Sequence, residues 1–444
     1  MRHRVRNRLW AAAQHLRRDQ SGAISLFSLQ IFVIALLLGG LAVDLSNALA
    51  GRAQLQATAD AAAHAALYTR EFGSADRARE AALTITEASM PRAHYGQVLT
   101  PDDIQFGHWD RAGDVFRIDA LSREAVFVST RRYSEQKNGL GTFFLRLIGL
   151  DSWDLTTGAV FETWRPACLH EGFVARGRVI LQSGGLYRSG VCIHSNAFIS
   201  LGSNNFFEPG TILSMPDKRE VATTAGVVEA TPGLGEALRD ASYRLRVVNR
   251  IDLIAKEILN KDSPFWRDYI TIKDPLLLGP EADMGPGTFM AGTIYLITCT
   301  DPDQRFDLNN DTVLLETVLV TNCRVAISAG TTIEDATIIT TNRSPKALSA
   351  ASDIIIGKMD SCEEGGDVQI LVAGGINFAS NVRIFGGQVV AGGNLSMSAE
   401  EDSILGASVQ AGGQMNLALK GSVGSCAGKG MGRMFEFNYF RLAR

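Results

Sequence analysis

The chain has 444 residues, of which 46% are apolar and 20% charged, a composition that builds packed cores and excludes global disorder. Its formal charge of -4 conceals a basic start: Arg2, Arg4, Arg6, Arg8, Arg17 and Arg18 precede the first acid, leaving 47 acids against 37 bases in the rest. The folded part therefore lacks the positive face that phosphate binding needs, which argues against a nucleic-acid partner. Forty-four glycines against twelve prolines point to turn-rich β structure rather than proline-rich linkers.

In chain order, residues 1–22 read as a basic cytoplasmic tail. The 21 residues from Ala23 to Val43 carry no charge and, as a helix, span about 30 Å, the thickness of bilayer hydrocarbon. With the arginines before this run and Asp44 after it, the positive-inside bias predicts a transmembrane helix over 23–43, a cytoplasmic N-terminus and export of everything beyond. A cleaved signal peptide is the alternative, with Ala48-Leu49-Ala50 as the small-residue cleavage site. The apolar run is longer than a usual signal core, however. Leu41, Leu45, Leu49, Leu55, Ala59, Ala62 and Ala66 also continue it at helical spacing, with no breaker before Gly73. That pattern predicts an exported helical stalk over 44–95.

The run is framed by an ordered set of residues: Asp19-Gln20-Ser21-Gly22 before it, Gly40-Leu41-Ala42-Val43-Asp44 closing it, then Arg52 and Leu55-Gln56-Ala57-Thr58-Ala59-Asp60. This set resembles the N-terminal region of TadE/TadG-like Flp (Tad) pilus-assembly proteins over residues 19–66. The resemblance implies a single-pass protein of the bacterial inner membrane whose partners are pilus-assembly proteins or pilins. Gly22, Asp44, Arg52, Leu55, Gln56 and Asp60 are its motif positions. Pseudopilin members carry a glutamate five residues after the processed glycine, a place held here by Phe27, so a permanent anchor is expected rather than peptidase processing. The likeness continues more loosely to residue 163. From the residues themselves, 96–165 reads as a small α+β domain. Strands are expected over 104–109, 114–119, 125–131 and 154–162, with a short apolar helix over 140–149.

The second half carries a repeat. Ala373-Gly374-Gly375, Ala391-Gly392-Gly393 and Ala411-Gly412-Gly413 recur at offsets of 18 and 20, each followed by apolar/polar alternation. One coil of a parallel β-solenoid fits that period, with glycines at its corners and alternating side chains stacking coil on coil. Residues 166–430 are therefore read as a mainly-β, right-handed parallel β-solenoid-like domain, with an ordinary β-sandwich as the alternative. Within it, apolar residues three and four apart over 235–240 and 249–260 predict a helical insertion at about 217–275. Residues 431–444, with Phe435, Phe437, Tyr439 and Phe440, are expected to cap the last coil or dock on a partner.

All six cysteines, Cys168, Cys192, Cys299, Cys323, Cys362 and Cys426, lie beyond the apolar run, and in an exported chain an even count favours disulfides. Cys168 and Cys192 are 24 apart, as are Cys299 and Cys323, and coil-on-coil stacking would bring such residues into range. Pairing in sequence order leaves Cys362 for Cys426, one of 15 possible connectivities. Cys168-Leu169-His170 and Cys192-Ile193-His194 repeat a Cys-x-His pattern that competes as a Cys₂His₂ zinc set. The loop Asp301, Asp303, Asp307, Asn309, Asn310 and Asp311 offers oxygen ligands for calcium but lacks the central glycine and terminal glutamate of an EF-hand, and a solvated turn is expected.

No nucleophile elbow, P-loop or metalloprotease motif is present, so neither cofactor nor catalytic residue is assigned. The expected role is non-catalytic: an anchored envelope protein presenting a solenoid surface in the periplasm to pilus proteins or to envelope glycan. The alternatives are an exported β-helix enzyme acting on polysaccharide, which would need a groove of paired acids and bases, and a surface adhesin.

Overall fold

The computed structural model describes residues 23–224, 228, 231–282, 284–400 and 402–444, so the basic tail and Gly22 lie outside the described residues. The chain forms two compact units, residues up to Trp164 with Asn438–Arg444, and Arg165–Phe437.

The first unit starts with helix α1, Ala23–Arg70, whose 48 residues correspond to about 72 Å. Its first half is an exposed apolar rod, with hydropathy and length sufficient to cross a membrane. Its second half is buried along an alanine-rich stripe, Ala59, Ala62, Ala63 and Ala66, where small side chains let other elements approach closely. Helix α2, Ala75–Ser89, packs there through Ala78 and Ala82, after a turn in which Ser74 accepts the Arg77 amide as N-cap. The sheet has strands β1, Ile104–Asp110, β2, Val115–Ile118, β3, Ala125–Arg132, and β4, Leu155–Trp164, in the order β2-β1-β3-β4, all antiparallel. Its apolar face, Ile104, Phe106, Val126, Val128 and Ala159, shares one core with the alanine stripe.

Residues 44–95 are largely helical, as Ala23–Arg70 and Ala75–Ser89, and the alanine stripe is also the helical half of the sheet's own core. One expectation is corrected here. The apolar stretch 140–149 is not an α-helix: Leu140–Gly141 pairs with Ser152–Trp153, and only a 3₁₀ turn, Leu145–Ile148, lies between them. Its apolar residues cluster without helical periodicity, and Gly149 closes the turn with a positive φ of 87°.

The second unit is a parallel β-solenoid with three strands per full coil. The Ala-Gly-Gly repeats sit at one corner, where Val368–Val372, Arg383–Ala391 and Ile404–Ala411 turn into Ile376–Phe378, Leu395–Ala399 and Met415–Leu419. Coil backbones pass so close there that a Cβ on Gly392 would lie 2.2 Å from the Ala373 carbonyl oxygen, and one on Gly412 would lie 2.3 Å from that of Gly392. Inward side chains stack in register along the first face, from Tyr295 through Leu319, Ile338, Ile370, Val389 and Val409.

The stacking order differs from the order in sequence. The start of Ile404–Ala411 pairs with Gly421–Gly424, but its second half pairs in parallel with the first coil, Ser408 beside Gly172 and Val409 beside Phe173. From there the ladder continues through Cys192–Ser195 and Ile212–Met215 to Leu238–Asp240. The chain thus begins in the interior of the stack, runs to one end, crosses to the other end through residues 241–271, and returns coil by coil from Ile272–Leu278 to meet its own start. The expected helical insertion is accordingly smaller than 217–275. Ala222–Thr223 and Leu238–Asp240 are coil strands, and among the described residues α-helix is confined to Leu234–Ala237 and Ile251–Glu257.

Residues 431–444 divide between the units. Residues up to Phe437 stay with the solenoid, whereas Tyr439–Leu442 becomes the fifth strand of the first sheet, antiparallel to β4 with Tyr439 beside Trp164. Of the aromatics that suggested a cap, Phe435 and Phe437 are buried within the solenoid unit, whereas Tyr439 and Phe440 belong to the edge strand. The solenoid is therefore an insertion between two neighbouring strands of the first unit's sheet.

Candidate functional site

Helical spacing puts Asp44, Gly51 and Leu55 on one stripe of α1 and Arg52, Gln56 and Asp60 on the next. The buried Asp44 carboxylate accepts the amides of Phe143, Phe144 and Leu145 at 2.6, 2.9 and 2.7 Å, and one turn on Asn47 donates to the Gly141 carbonyl at 3.1 Å. Leu55 is fully buried with Met90 and Val98, and its carbonyl accepts the Thr130 hydroxyl. Gln56 donates to Asp60 at 2.8 Å and to the Gly158 carbonyl of β4 at 3.0 Å. Arg52 is exposed and lines an open groove with Trp109, Phe116, Phe127 and the C-terminal Arg444. The described motif positions therefore gather where the apolar half of α1 passes into the folded unit; Asp44, Leu55 and Gln56 join helix to loop or sheet, and Asp60 holds Gln56 from the next turn.

In the solenoid, the first face is covered from outside. The column Thr337, Gln369, Gln388, Ser408 points away from the core yet is buried. Burial without partners would be costly, and each has one: Thr337 donates to Gln369, Gln388 exchanges two hydrogen bonds with Phe435, and Ser408 donates to the Leu169 carbonyl. Two straps supply the cover, the crossing segment 241–271 and residues 431–437. Along the crossing segment, Tyr243 lies 4.4 Å from the His194 ring, Asn249 accepts from Arg176, Asp252 pairs with Arg343, and Tyr269 reaches Thr337.

The straps meet in a charged cluster. Arg267 is buried beneath the Phe435 ring, 3.9 Å from its centroid, and donates to Thr337 and to the Arg433 carbonyl. Burial pushes its pKa down to about 10 and that of Tyr269 up to about 12. Arg433 pairs with Asp335 at 2.5 Å and Asp268 at 3.1 Å, while its amide donates to Asp367. Burial opposes the Arg433 charge, but Asp268 and Asp335 hold its pKa above the usual value. Burial raises that of Asp367. One carboxylate oxygen of Asp367 and one terminal nitrogen of Arg267 lack a hydrogen-bond partner among the described residues. The sequence reading passed over this cluster. Its available signal was that first-face strands such as Thr317–Thr321 and Val368–Val372 are continuous buried runs, the pattern of a parallel sheet covered on both sides.

The cysteines form Cys168–Cys192, Cys299–Cys323 and Cys362–Cys426, with Cα separations of 5.0, 5.3 and 5.6 Å. This corrects the zinc alternative, since the thiols are consumed and the two histidines are engaged elsewhere. His170 pairs with Glu436 at 2.6 Å, and His194 lies between Ser214 and Asn196 at 2.8 and 2.9 Å. In the acidic loop, Asp301 caps the Asp303 amide and Asp307 pairs with Arg305. Among the described residues no three His, Cys, Asp or Glu side chains are grouped to hold a metal ion.

Comparison with known families gives two matches on this geometry. Residues 172–427 match a domain of unknown function, DUF7867, and residues 22–82 match the Flp pilus-assembly TadE/G-like family. No curated protein and no solved structure matches the chain.

Proposed function

The chain belongs to the DUF7867 family, and from that premise, together with the TadE/G-like match at its start, we propose that it is a non-catalytic inner-membrane component of a Flp pilus-assembly system. The observation that carries this reading is the position of the TadE/G-like segment. It covers the apolar half of α1 and the turns that lock the helix to the first sheet, so membrane anchoring and folding meet in the matched residues. In this reading the N-terminus is cytoplasmic, the two folded units are periplasmic, and the solenoid offers its uncovered faces to pilins, assembly proteins or envelope glycan. The second face suits such a role. Its outward column Ser349, Asn377, Ser396, Asn416 is small and polar, with hydrogen-bonding groups repeating over four successive coils.

A polysaccharide-active enzyme would need a groove of free paired carboxylates. The solenoid cleft that does gather acids, lined by Glu363, Glu364, Asp367, Lys429 and Arg433, commits Arg433 to Asp335 and Asp268 and has Asp367 accept the Arg433 amide. That is a bond between strap and coil, and we do not adopt the enzymatic reading. The proposal is tested by separating inner and outer membranes and weighing the intact chain. A full-length species in the inner membrane, resistant to carbonate and cut by protease only from the periplasmic side, is expected. A chain shortened near Gly51 and recovered as soluble protein would overturn it.

A further inference from the structure

The loop between the two short strands of the first unit is unusually apolar for a surface turn. Phe143, Leu147, Ile148 and Leu150 expose 58, 77, 68 and 53% of their surface within eight residues. Solvent-facing loops ordinarily carry polar side chains, and a cluster of this kind marks a surface that another medium covers.

Its position identifies the medium. Phe144 packs on Gly40 so closely that a Cβ there would lie 2.7 Å from its ring, and Asp44 holds the amides of Phe143, Phe144 and Leu145. Gly40 belongs to the uncharged run that ends at Val43, so the loop lies beside the last turn of the anchor and not farther along the helix. Backbone hydrogen bonding points the same way, because in hydrocarbon an unsatisfied amide costs several kcal/mol. Besides the three amides taken by Asp44, those of Leu147, Gly149 and Leu150 donate to Phe144, Arg146 and Leu145 carbonyls at 3.0, 3.1 and 3.1 Å. Thr142 donates through its hydroxyl to the Leu150 carbonyl. Arg146, exposed in the middle of the loop, places a cation where lipid phosphates lie.

We propose that Phe143–Leu150 is a second membrane contact, inserting Phe143, Leu147 and Ile148 into the exported-side leaflet next to the anchor helix. The inference rests on α1 being a membrane anchor. It also gives Asp44 a purpose: a carboxylate at the end of a membrane span that satisfies the backbone of a loop dipping into lipid. The two contacts together would fix the tilt and rotation of α1 relative to the bilayer, which a single span leaves free.

The test uses the full chain in vesicles of phosphatidylethanolamine and phosphatidylglycerol. All six cysteines are in disulfides, so a Leu147→Cys variant carries one reactive thiol for an environment-sensitive fluorophore. Leu121→Cys is the aqueous control. Arg70 donates to the Leu121 carbonyl, which puts that residue about 39 Å along the helix from Asp44. Leu36→Cys reports the anchor itself. The expected result is strong quenching at 147 by acyl-chain nitroxide lipids, with at least a several-fold loss of iodide accessibility relative to 121. A label at 36 quenched by lipid, with 147 as open to iodide as 121, overturns the loop proposal and leaves the anchor standing. Shielding of 147 from both quenchers identifies a protein partner instead and also overturns it. Loss of lipid quenching at 36 sinks the anchor reading and this inference together. Ile148→Cys, equally exposed in the loop, repeats the measurement should labelling at 147 disturb the fold.

Discussion

His170 and Glu436 show how single residues tie a strap to the solenoid. The hydrogen bond accepted by the Glu436 carboxylate raises the His170 pKa above its ordinary 6.5, against the opposing effect of burial. A raised folded-state pKa contributes stability that is fully present below 6.5 and is lost as pH rises through the folded value. Glu436 runs the other way: burial works to raise its pKa, but His170 and Arg165 hold it low, so its share is lost on acidification below its ordinary 4.5. The strap is therefore held best in mildly acidic solution. Amide exchange across 431–437, corrected for intrinsic rates, is expected to be slower at about pH 5.5 than at about pH 8, with His170→Gln abolishing the difference. Equal protection at both pH values in the unmodified chain would show that the pair does not hold the strap. The buried His194 has the opposite sign, since burial lowers its pKa and favours the neutral ring, so its contribution falls as pH drops below 6.5. For that reason the exchange is read at the strap and not from global stability.

At the scale of elements, the Ala-Gly-Gly corner is a steric requirement. A methyl group at Gly392 would meet the Ala373 carbonyl at 2.2 Å, whereas one at Gly235 finds nothing within 4 Å. Gly392→Ala is expected to destabilise the full chain by about 2 kcal/mol in denaturant unfolding, the scale of overpacking, while Gly235→Ala leaves the midpoint unchanged or slightly raised. Equal effects from the two would mean that the coil spacing relaxes freely. This corner was legible in the sequence because a backbone constraint repeated over three successive coils leaves a periodic trace. The strands of the small sheet were legible for a similar reason, their β-branched and aromatic runs matching Ile104–Asp110, Ala125–Arg132 and Leu155–Trp164. The 140–149 turn was not legible, since its apolar residues have no period of their own and are placed by Gly40 of a distant helix and, in our proposal, by lipid. The Arg267–Arg433 cluster escaped notice because its members are 166 residues apart and nothing local marks them as neighbours.

At the scale of the whole molecule, what the sequence could not disclose is the order of stacking. The coils share one apolar/polar alternation, so local pattern is indifferent to which coil lies beside which. Only side-chain fit decides that Val409 pairs with Phe173 rather than with a following segment. The consequence is a solenoid whose first coil is an interior one. A solenoid stacked in sequence order loses only neighbouring repeats when its end is removed, because each repeat touches its neighbours alone. Here the neighbours of residues 172–187 are 192–207 on one side and 404–424 on the other. Truncation before residue 404 would strip the docking surface from the N-terminal coils and leave the crossing segment without Phe435 and Arg433 against Arg267 and Asp268. Limited proteolysis of such a truncated chain is therefore expected to cut first within 172–260, more than 140 residues from the deletion. Cleavage confined to residues adjoining the new end would instead mean that the N-terminal coils stand on their own. The same arrangement predicts slow folding, because the closing contact joins residues more than 230 apart and its loop entropy must be overcome before the central coils are complete.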